Sequence, residues 1–259
     1  MSQWEMVDEG WGRKATEFAT LSEPSNCREY VAIHRRVGLS EGERLLDVAC
    51  GAGLAIELAT IVGAACSGID ASPRLVRVAQ HRNPGCDIRV GDMQALPWAD
   101  ETFDVVTSFR GIWGTTPGAV DEARRVLRPG GRLAMTCWGN VGKSPGAWMM
   151  VPFRWATDAK VQHQADMVTL GRPGVGEAFL ADRGFDVVAR FEVPFAWEFP
   201  DPPGFARTLA SMGPAYESIQ SIGEDEFVAR CTEVAEEQMR DGVPLRGQLQ
   251  VFGYIGTKR

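Results

Sequence analysis

A glycine turn that follows a run of apolar residues is the first feature of this sequence with a chemical use. The run LLDVACGAG at 45–53 begins as a buried strand would and ends in two closely spaced glycines. Such a turn lets a ligand approach the backbone and points the amides of the following helix at it. A purely structural tight turn would use the same glycines, so the motif alone leaves both interpretations open.

Two aspartates come directly after later apolar runs. Asp70 lies roughly 20 residues beyond the glycine turn, where a carboxylate can accept both hydroxyls of a ribose. The alternative is a helix-capping aspartate, but Ser72 is better placed to cap. In the segment GDM at 91–93, Asp92 could accept from the exocyclic amine of adenine while Met93 packs on the ring. An aspartate in an ordinary turn is the alternative there. The order of the three motifs favours a nucleoside site.

The glycine spacing distinguishes between nucleotides. A dinucleotide site needs a third glycine three residues after Gly53, to bring the pyrophosphate onto the helix. That position is Ile56, a bulky β-branched residue. A G-x-x-x-x-G-K-[ST] motif is also absent from the sequence. The ligand is therefore expected to be a nucleoside without a pyrophosphate.

The motifs fall at the ends of predicted strands that alternate with predicted helices. Residues 1–40 form a helical lead-in that Gly38 can end, and the segment RPGG at 128–131 stops a later helix. Strands are predicted at 45–49, 64–69, 87–90, 103–109 and 132–138. The alternation predicts an α/β fold with a parallel, doubly wound Rossmann-like sheet, of about seven strands in all. Ligands bind at the carboxyl edge of such a sheet.

The pattern changes after Trp138. A helix is predicted at 176–183, one long strand at 185–199, turns and helices at 201–241, and a closing strand at 245–257. The whole chain, 1–259, is expected to form a single domain, with insertions at about 139–172 and 200–242 acting as helical lids. Plain connecting structure is the alternative for both insertions.

Composition excludes several classes of partner. The net charge of −7 argues against a polyanionic partner such as nucleic acid. No apolar stretch approaches the ~20 residues of a membrane span, and the first residues do not resemble a signal peptide, so a cytoplasmic protein is expected. The six cysteines form no C-x-x-C pair, which favours reduced thiols over a metal site.

Four motifs in order resemble the class I methyltransferases, which use S-adenosylmethionine. They are LLDVACGAG at 45–53, GID at 68–70, GDMQALPWADETFDVV at 91–106 and EARRVLRPGGRL at 122–133. The closest resemblance is to the small-molecule group that includes the ubiquinone and menaquinone methyltransferases, and it covers about residues 40–138 closely. It implies an S-adenosyl-L-methionine cofactor.

The resemblance also implies which residues bind this cofactor. The glycine turn would contact its methionine part, through Ala49, Cys50, Gly51 and Gly53. Asp70 would hold the ribose, Ala71 would touch the adenine side, and Asp92 with Met93 would hold the base. Phe109 and Arg110 would line the floor of the site. Ala49 stands where the family often has glycine, and binding is expected to survive its small methyl group.

The chemistry beyond cofactor binding is less specified. SFRG at 108–111 differs from the Asn-Pro-Pro-Tyr type of the nucleic-acid amino-methylating branch, and no acidic metal-ligand set follows the fifth strand. No catalytic residue is assigned, although His163, in the first lid, is a better candidate base than His34 or His81. Trp11 could cover the cofactor.

The aromatic and methionine side chains of the lids form either an acceptor pocket or lid core: Trp148, Trp155, Trp197, Tyr216, Met149, Met150, Met167 and Met212. The expected function is methyl transfer to a small hydrophobic or aromatic metabolite at oxygen, carbon or nitrogen, in a protein that could form a homodimer. Two alternatives stay open: another reaction that uses the same cofactor, such as a decarboxylation or cyclisation, and a non-catalytic cofactor-binding module.

Overall fold

A seven-stranded sheet organises the computed structural model, which describes residues 7–156 and 168–259. The strands of this sheet are β1 Arg44–Val48, β2 Ala65–Asp70, β3 Asp87–Val90, β4 Phe103–Phe109, β5 Leu127–Trp138, β6 Phe185–Val193 and β9 Val251–Lys258. Their order is β3-β2-β1-β4-β5-β9-β6. β1 to β5 are parallel, whereas β9 runs antiparallel to both β5 and β6. The doubly wound α/β fold is confirmed, but the sheet is mixed rather than wholly parallel.

Helices cover both faces of this sheet. Those that pack on the sheet are α1 Cys27–Val37, α2 Leu54–Ile61, α3 Pro73–Arg82, α4 Pro117–Val126 and α5 Val175–Ala181. Three more helices pack on one another and on residues 147–154: α6 Pro202–Ala210, α7 Ala215–Ile222 and α8 Glu224–Glu236. Short helical turns occupy residues 8–26. Two predicted helix ends are confirmed. Ser72 Oγ accepts from Leu75 N at the start of α3, and Gly38, with φ +69°, ends α1.

Neighbouring residues of one strand enter opposite halves of the core. Leu45 and Val105 pack on one face with Ile56 and Val76, whereas Leu46 and Val106 pack on the other. Successive side chains of a strand point to opposite faces, and helices cover both faces of this sheet. The near-continuous apolar runs in the sequence follow from this burial on both sides.

Two predicted strands are wrong in extent. The strand expected at 185–199 is broken at Pro194, and its second part is β7, Ala196–Phe199. The strand expected at 245–257 is likewise split into β8, Leu245–Gln248, and β9. β7 and β8 pair antiparallel in a separate two-stranded sheet. Proline supplies no amide to a strand ladder, so the chain changes sheet where a continuous apolar pattern indicated one strand.

The start of β5 also differs from expectation. The strand begins at Leu127 and includes the RPGG segment, where Gly130 has φ +73° and the register with β4 shifts between Phe103 and Val105. A bulge of this kind allows a strand to continue through residues that favour a turn. None of the described helices is both long and apolar enough to span a bilayer. The six cysteines all fall in described ranges and are free thiols.

Two glycines have the same φ, so alanine substitutions at both positions distinguish the effect of backbone strain from the effect of packing. Gly42 and Gly53 both have φ +79°, but a Cβ on Gly42 would meet nothing within 4 Å. A Cβ on Gly53 would lie 2.8 Å from Asn83 Nδ2 and 2.9 Å from Ala79 Cβ, where α2 begins against α3. We expect Gly42→Ala to lower the free energy of unfolding by about 1 kcal/mol. Gly53→Ala should lower it by about 1–3 kcal/mol more, because it also overpacks the helix contact. Urea titrations check this, and equal losses in the two variants would contradict it.

Candidate functional site

A cavity of about 1520 Å³ lies at the carboxyl ends of the parallel strands. The ends of β1, β2 and β4 and the turn after β3 form its floor, as expected for a doubly wound sheet. Its other walls come from the N-terminal turns, residues 139–156, the segment before α5, residues 212–217 around the start of α7, and the strands β6, β7 and β9. Both predicted lid regions therefore contribute to the same cavity as the three motifs.

The glycine turn after β1 holds two residues in the left-handed region at the cavity. Ala49 has φ +58° and Gly51 has φ +56°. The methyl group of Ala49 packs where Gly111 leaves room, since a Cβ on Gly111 would lie only 2.4 Å from it. The left-handed conformation costs a non-glycine residue about 1–2 kcal/mol, which explains why glycine suits this position. Cys50 N donates to Ile69 O at 3.0 Å, and the Cys50 thiol packs toward Gly68.

Nine of the ten predicted cofactor residues line this cavity, and Gly53 does not. The nine are Ala49, Cys50, Gly51, Asp70, Ala71, Asp92, Met93, Phe109 and Arg110. Gly53 lies one step beyond, where its missing side chain allows α2 to approach α3. In the described structure Gly53 makes a helix contact, and direct contact with a ligand stays a prediction for all ten residues.

Asp70 connects the glycine turn to the start of α3. Its Oδ2 accepts from Gly51 N and its Oδ1 accepts from Ser72 N, both at 2.9 Å. Ser72 caps α3 with its own hydroxyl, so Asp70 does not act as the side-chain cap. Burial raises the pKa of Asp70, although the two amides oppose this rise by stabilising the charged form. Each carboxylate oxygen has a second lone pair, which leaves acceptors for a ligand hydroxyl.

The third motif is consistent with both interpretations drawn from the sequence. Asp92 Oδ1 accepts from Gln94 N at 2.8 Å, which is an ordinary side-chain-to-backbone turn. Asp92 and Met93 are nevertheless half-buried and line the cavity beside Ala71. The turn bond orients the carboxylate without preventing contact with a ligand.

Two buried carboxylates in the cavity were missed by sequence reasoning. Glu23, only 1% exposed, accepts from Leu54 N at 3.3 Å and pairs with Arg82. Burial raises the pKa of Glu23 to about 7, against the opposing effect of Arg82. Asp47 accepts from Thr107 Oγ1 at 2.7 Å, and burial raises the pKa of Asp47 to about 8. An acidic residue inside the apolar run LLDV was a signal for Asp47, whereas nothing in the sequence pointed to Glu23.

Arg110 is held in place by a third buried carboxylate. Its backbone has φ +60°, and its guanidinium pairs with Glu29 at 2.8 Å. Glu29, which is fully buried, also accepts from Thr136 Oγ1 at 2.5 Å. The guanidinium carbon of Arg110 lies 4.8 Å from the ring centroid of Trp138 and 4.7 Å from that of Phe195. This aromatic and ionic contact fixes the wall where β4 ends.

The histidines offer no base within the described ranges. His34 packs edge-on against Phe109, with 5.8 Å between the ring centroids, and burial lowers its pKa to about 4. It is therefore neutral and structural, as expected. His81 is exposed at the end of α3, and His163 lies outside the described residues. Within residues 7–156 and 168–259, no cluster of three His, Cys, Asp or Glu side chains could hold a metal ion.

The lid side chains divide between the two interpretations that the sequence left open. Trp197, Tyr216, Met150 and Met212 line the cavity. Trp148 packs on Phe205 and Trp155 on Phe227, while Met149 is fully buried. These three belong to the hydrophobic core, to which Trp197 and Met212 also contribute while they line the cavity. Met167 lies outside the described residues. Trp11 also lines the cavity, in contact with Gly213.

Comparison with known proteins identifies the family. Residues 46–135 match the family model described as a methyltransferase domain. The demethylmenaquinone methyltransferase of Renibacterium salmoninarum is 38% identical over 101 residues, which are 38% of this chain and 43% of that protein. An uncharacterized protein of Mycobacterium bovis is 30% identical over 225 residues, and the match covers 80% of this chain and 79% of that protein. The chain belongs to the class I S-adenosylmethionine-dependent methyltransferases.

The fold comparison agrees with this family. The crystal structure of the [4+2]-cyclase SpnF matches with a TM-score of 0.57 at 22% identity, over 89% of this chain and 80% of that one. At this identity the likeness concerns the fold alone. S-adenosylmethionine is the cofactor of the class I methyltransferases and of this chain. This chain spans less than half the length of the curated quinone methyltransferases that it matches.

The described residues fit that cofactor. The cavity exceeds the usual ligand-pocket range of about 300–1,000 Å³, so it has room for a nucleoside and an acceptor together. The Asp70 carboxyl group lies at its strand-end floor, where its oxygens can accept from the hydroxyls of a nucleoside. The turn at Ala49 and Gly51 exposes backbone at the same place.

The raised pKa of Asp47 predicts a pH-dependent stability. In the unfolded chain the carboxyl group of Asp47 has a pKa of about 3.9. The stability that the protonated group contributes is therefore complete below that pH and is lost as the pH rises through about 8. Asp47→Asn can still accept from Thr107 but cannot ionise, so its free energy of unfolding should fall less between about pH 6 and about pH 9. The difference has a limiting slope of about 1.4 kcal/mol per pH unit. Urea titrations across this range test it, and parallel curves for both proteins would contradict it.

Proposed function

We propose that this protein transfers the methyl group of S-adenosylmethionine to a small hydrophobic or aromatic acceptor, at oxygen, carbon or nitrogen. One observation carries the proposal: the strand-end motifs and an aromatic lid wall line one continuous cavity. A transfer reaction needs both reactants side by side, with water kept out. The cavity provides a polar end for the cofactor and an apolar end for the acceptor.

We assign the cofactor to the floor of this cavity. The backbone of the turn at Ala49, Cys50 and Gly51 would contact the methionine part, and Asp70 would accept from the ribose hydroxyls. Ala71, Asp92 and Met93 would surround the adenine. Phe109 and Arg110 would separate the cofactor from the acceptor. Gly53 would complete the turn, where its packing also allows α2 to approach α3.

The bound cofactor supplies an activated methyl group, so the protein itself has mainly to align the acceptor and exclude water. The walls at 139–156 and around α7 perform the second task, since their aromatic and methionine side chains close one side of the cavity. We propose on this basis that 139–172 and 200–242 act as lids within a single domain covering 1–259. No general base is assigned.

The apolar lining supports the acceptor class. Four large apolar side chains outside the strand-end motifs line the cavity: Trp197, Met150, Met212 and Phe153. The match to a demethylmenaquinone methyltransferase agrees with an apolar aromatic acceptor, although it covers only the cofactor-binding part of the chain. A homodimer and a cytoplasmic location complete the proposal, and light scattering tests the first.

A second candidate is a reaction other than methyl transfer, because the solved structure with a similar fold is named a cyclase. Turnover with radiolabelled S-adenosylmethionine and a panel of apolar phenols, quinols and amines distinguishes the two. Methyl transfer releases S-adenosylhomocysteine in step with labelled product. Conversion of an acceptor without S-adenosylhomocysteine would support the second candidate and contradict the first.

The Asp70 assignment predicts a loss of cofactor affinity. Asp70→Asn should weaken S-adenosylhomocysteine binding about tenfold or more, because an amide offers one acceptor oxygen where the carboxylate offers two charged ones. Isothermal titration calorimetry measures this. Asp121→Asn is the matched control, since Asp121 is exposed on α4 and does not line the cavity. Unchanged binding by a folded Asp70→Asn protein would contradict the assignment.

The division of the lid tryptophans predicts separate effects on binding and stability. Trp197→Leu removes cavity lining and should raise the acceptor KM about tenfold, since an aromatic side chain in a pocket contributes strongly to binding. Trp148→Leu alters a tryptophan that packs on Phe205 and does not line the cavity, so it should lower thermal stability with KM unchanged. Kinetics with the acceptor found in the panel, together with melting curves, provide the test. Equal KM values in the two variants would contradict the pocket.

A further inference from the structure

Charged side chains separate by sign along the cavity described above. The acidic ones on the strand-end floor and N-terminal turns are Glu23, Asp47, Asp70 and Asp92. The basic ones lie on the side of β4, the lids and β6: Arg110, Arg154, Arg172 and Arg190. Among the described lining residues, Glu217 is the one acidic side chain on the basic side. Asp70 and Asp92, which the proposed function assigns to the cofactor, lie at the acidic end, so the basic end is left for the acceptor.

Two of these arginines are already compensated. Arg110 is paired with buried Glu29 at 2.8 Å. Arg190 pairs with Glu177 at 3.4 Å and stacks on Phe252, with 3.7 Å from its guanidinium carbon to the ring centroid. Their charges are largely balanced by the protein, and their guanidinium groups are held in fixed positions.

Arg172, which is exposed to solvent and lines the cavity, differs from them because its charge has no ion-pair partner among the described residues. Its backbone is nevertheless fixed. Arg172 N donates to Thr169 O at 3.2 Å, and Val175 N donates to Arg172 O at 3.1 Å. The preceding Gly171 packs directly on the carbonyl of Trp138, because a Cβ there would lie 2.0 Å from that oxygen.

Arg190 ties the same segment to the sheet. Its Nη2 donates to Gly171 O at 3.1 Å, and its Nε donates to Tyr254 Oη at 3.1 Å. A fixed guanidinium and an uncompensated one are therefore attached to the same short segment at the cavity wall. Arg154 also has no described ion-pair partner, but no second arginine is tied to its segment by a described contact.

We propose that the methyl acceptor carries a carboxylate, which Arg172 binds with support from Arg190. This inference rests on the proposed function, since it concerns the acceptor end of the same cavity. A guanidinium matches a carboxylate in planar geometry and can donate two hydrogen bonds to it. On the segment that Arg190 holds, Arg172 alone carries an uncompensated positive charge, and a single charge suits a monoanion better than a doubly charged phosphate. The acceptor is thus an apolar or aromatic acid rather than a neutral lipid-like molecule.

Matched acid and amide probes test this inference on the full-length protein saturated with S-adenosylhomocysteine. Calorimetry would compare naphthoate with naphthamide and decanoate with decanamide, with naphthyl phosphate as a dianion. The wild type should bind at least one acid about tenfold more tightly than its amide, the usual effect of one charge-assisted hydrogen bond. Added salt should reduce the difference.

The variants locate the effect. Arg172→Gln should remove the preference for acid over amide, and Arg172→Lys should restore part of it. Arg77→Gln, an exposed position on α3 outside the cavity, should leave it unchanged. Melting curves confirm that each variant is folded.

Three results would overturn the inference. They are equal affinity, or no binding, for acid and amide across the panel; a preference that depends on Arg154 and not on Arg172; and stronger binding of the phosphate than of the acids. If S-adenosylhomocysteine still binds in those cases, the proposed function stands and only the carboxylate inference fails. If S-adenosylhomocysteine itself does not bind to the folded protein, both fail.

Discussion

The carboxylate of Asp70 is the interaction on which the geometry of the site depends. One oxygen accepts from the amide of Gly51 in the turn after β1, and the other accepts from the amide of Ser72 at the start of α3. The two strand-to-helix connections are thereby held at a fixed distance. This carboxylate bridge lies at the cavity floor, and it acts together with the bond from Cys50 N to Ile69 O and with the packing of Gly53 on α3. Burial raises the energy of the charged carboxylate, and the two amides offset part of that effect.

Three other buried carboxyl groups in or beside the cavity also have a polar or charged partner. Glu23 is paired with Arg82, Glu29 with Arg110, and Asp47 has the Thr107 hydroxyl. A buried charge without a partner would destabilise the fold by several kcal/mol. These pairs connect segments that are far apart in the chain: the N-terminal turns and α1 supply the acids, and α3 and the end of β4 supply the arginines. The N-terminal region is thus part of the site as well as its cover.

Sequence patterns predicted those features of the fold that depend on residues close together in the chain. The strand–helix alternation, the cap at Ser72, the stop at Gly38 and the placing of Asp70 at a strand end all follow from neighbouring residues. Glu23 and Glu29 could not be found in this way, because their importance comes from contacts with residues distant in sequence. The break at Pro194 was also missed, since apolar residues on both sides of it fit one strand as well as two. The left-handed backbone of Ala49 was not predicted, because the sequence showed only that alanine stands where the family often has glycine.

A crystal structure of the wild-type protein with S-adenosylhomocysteine is the most direct measurement of the central claim. The account predicts the ribose hydroxyls within hydrogen-bond distance of Asp70, the adenine beside Asp92 and Met93, and the sulfur facing Arg110 and the lid wall. A ligand bound with its ribose away from Asp70, or with its adenine toward the lids, would contradict it. Either outcome would place the acceptor end of the cavity by observation.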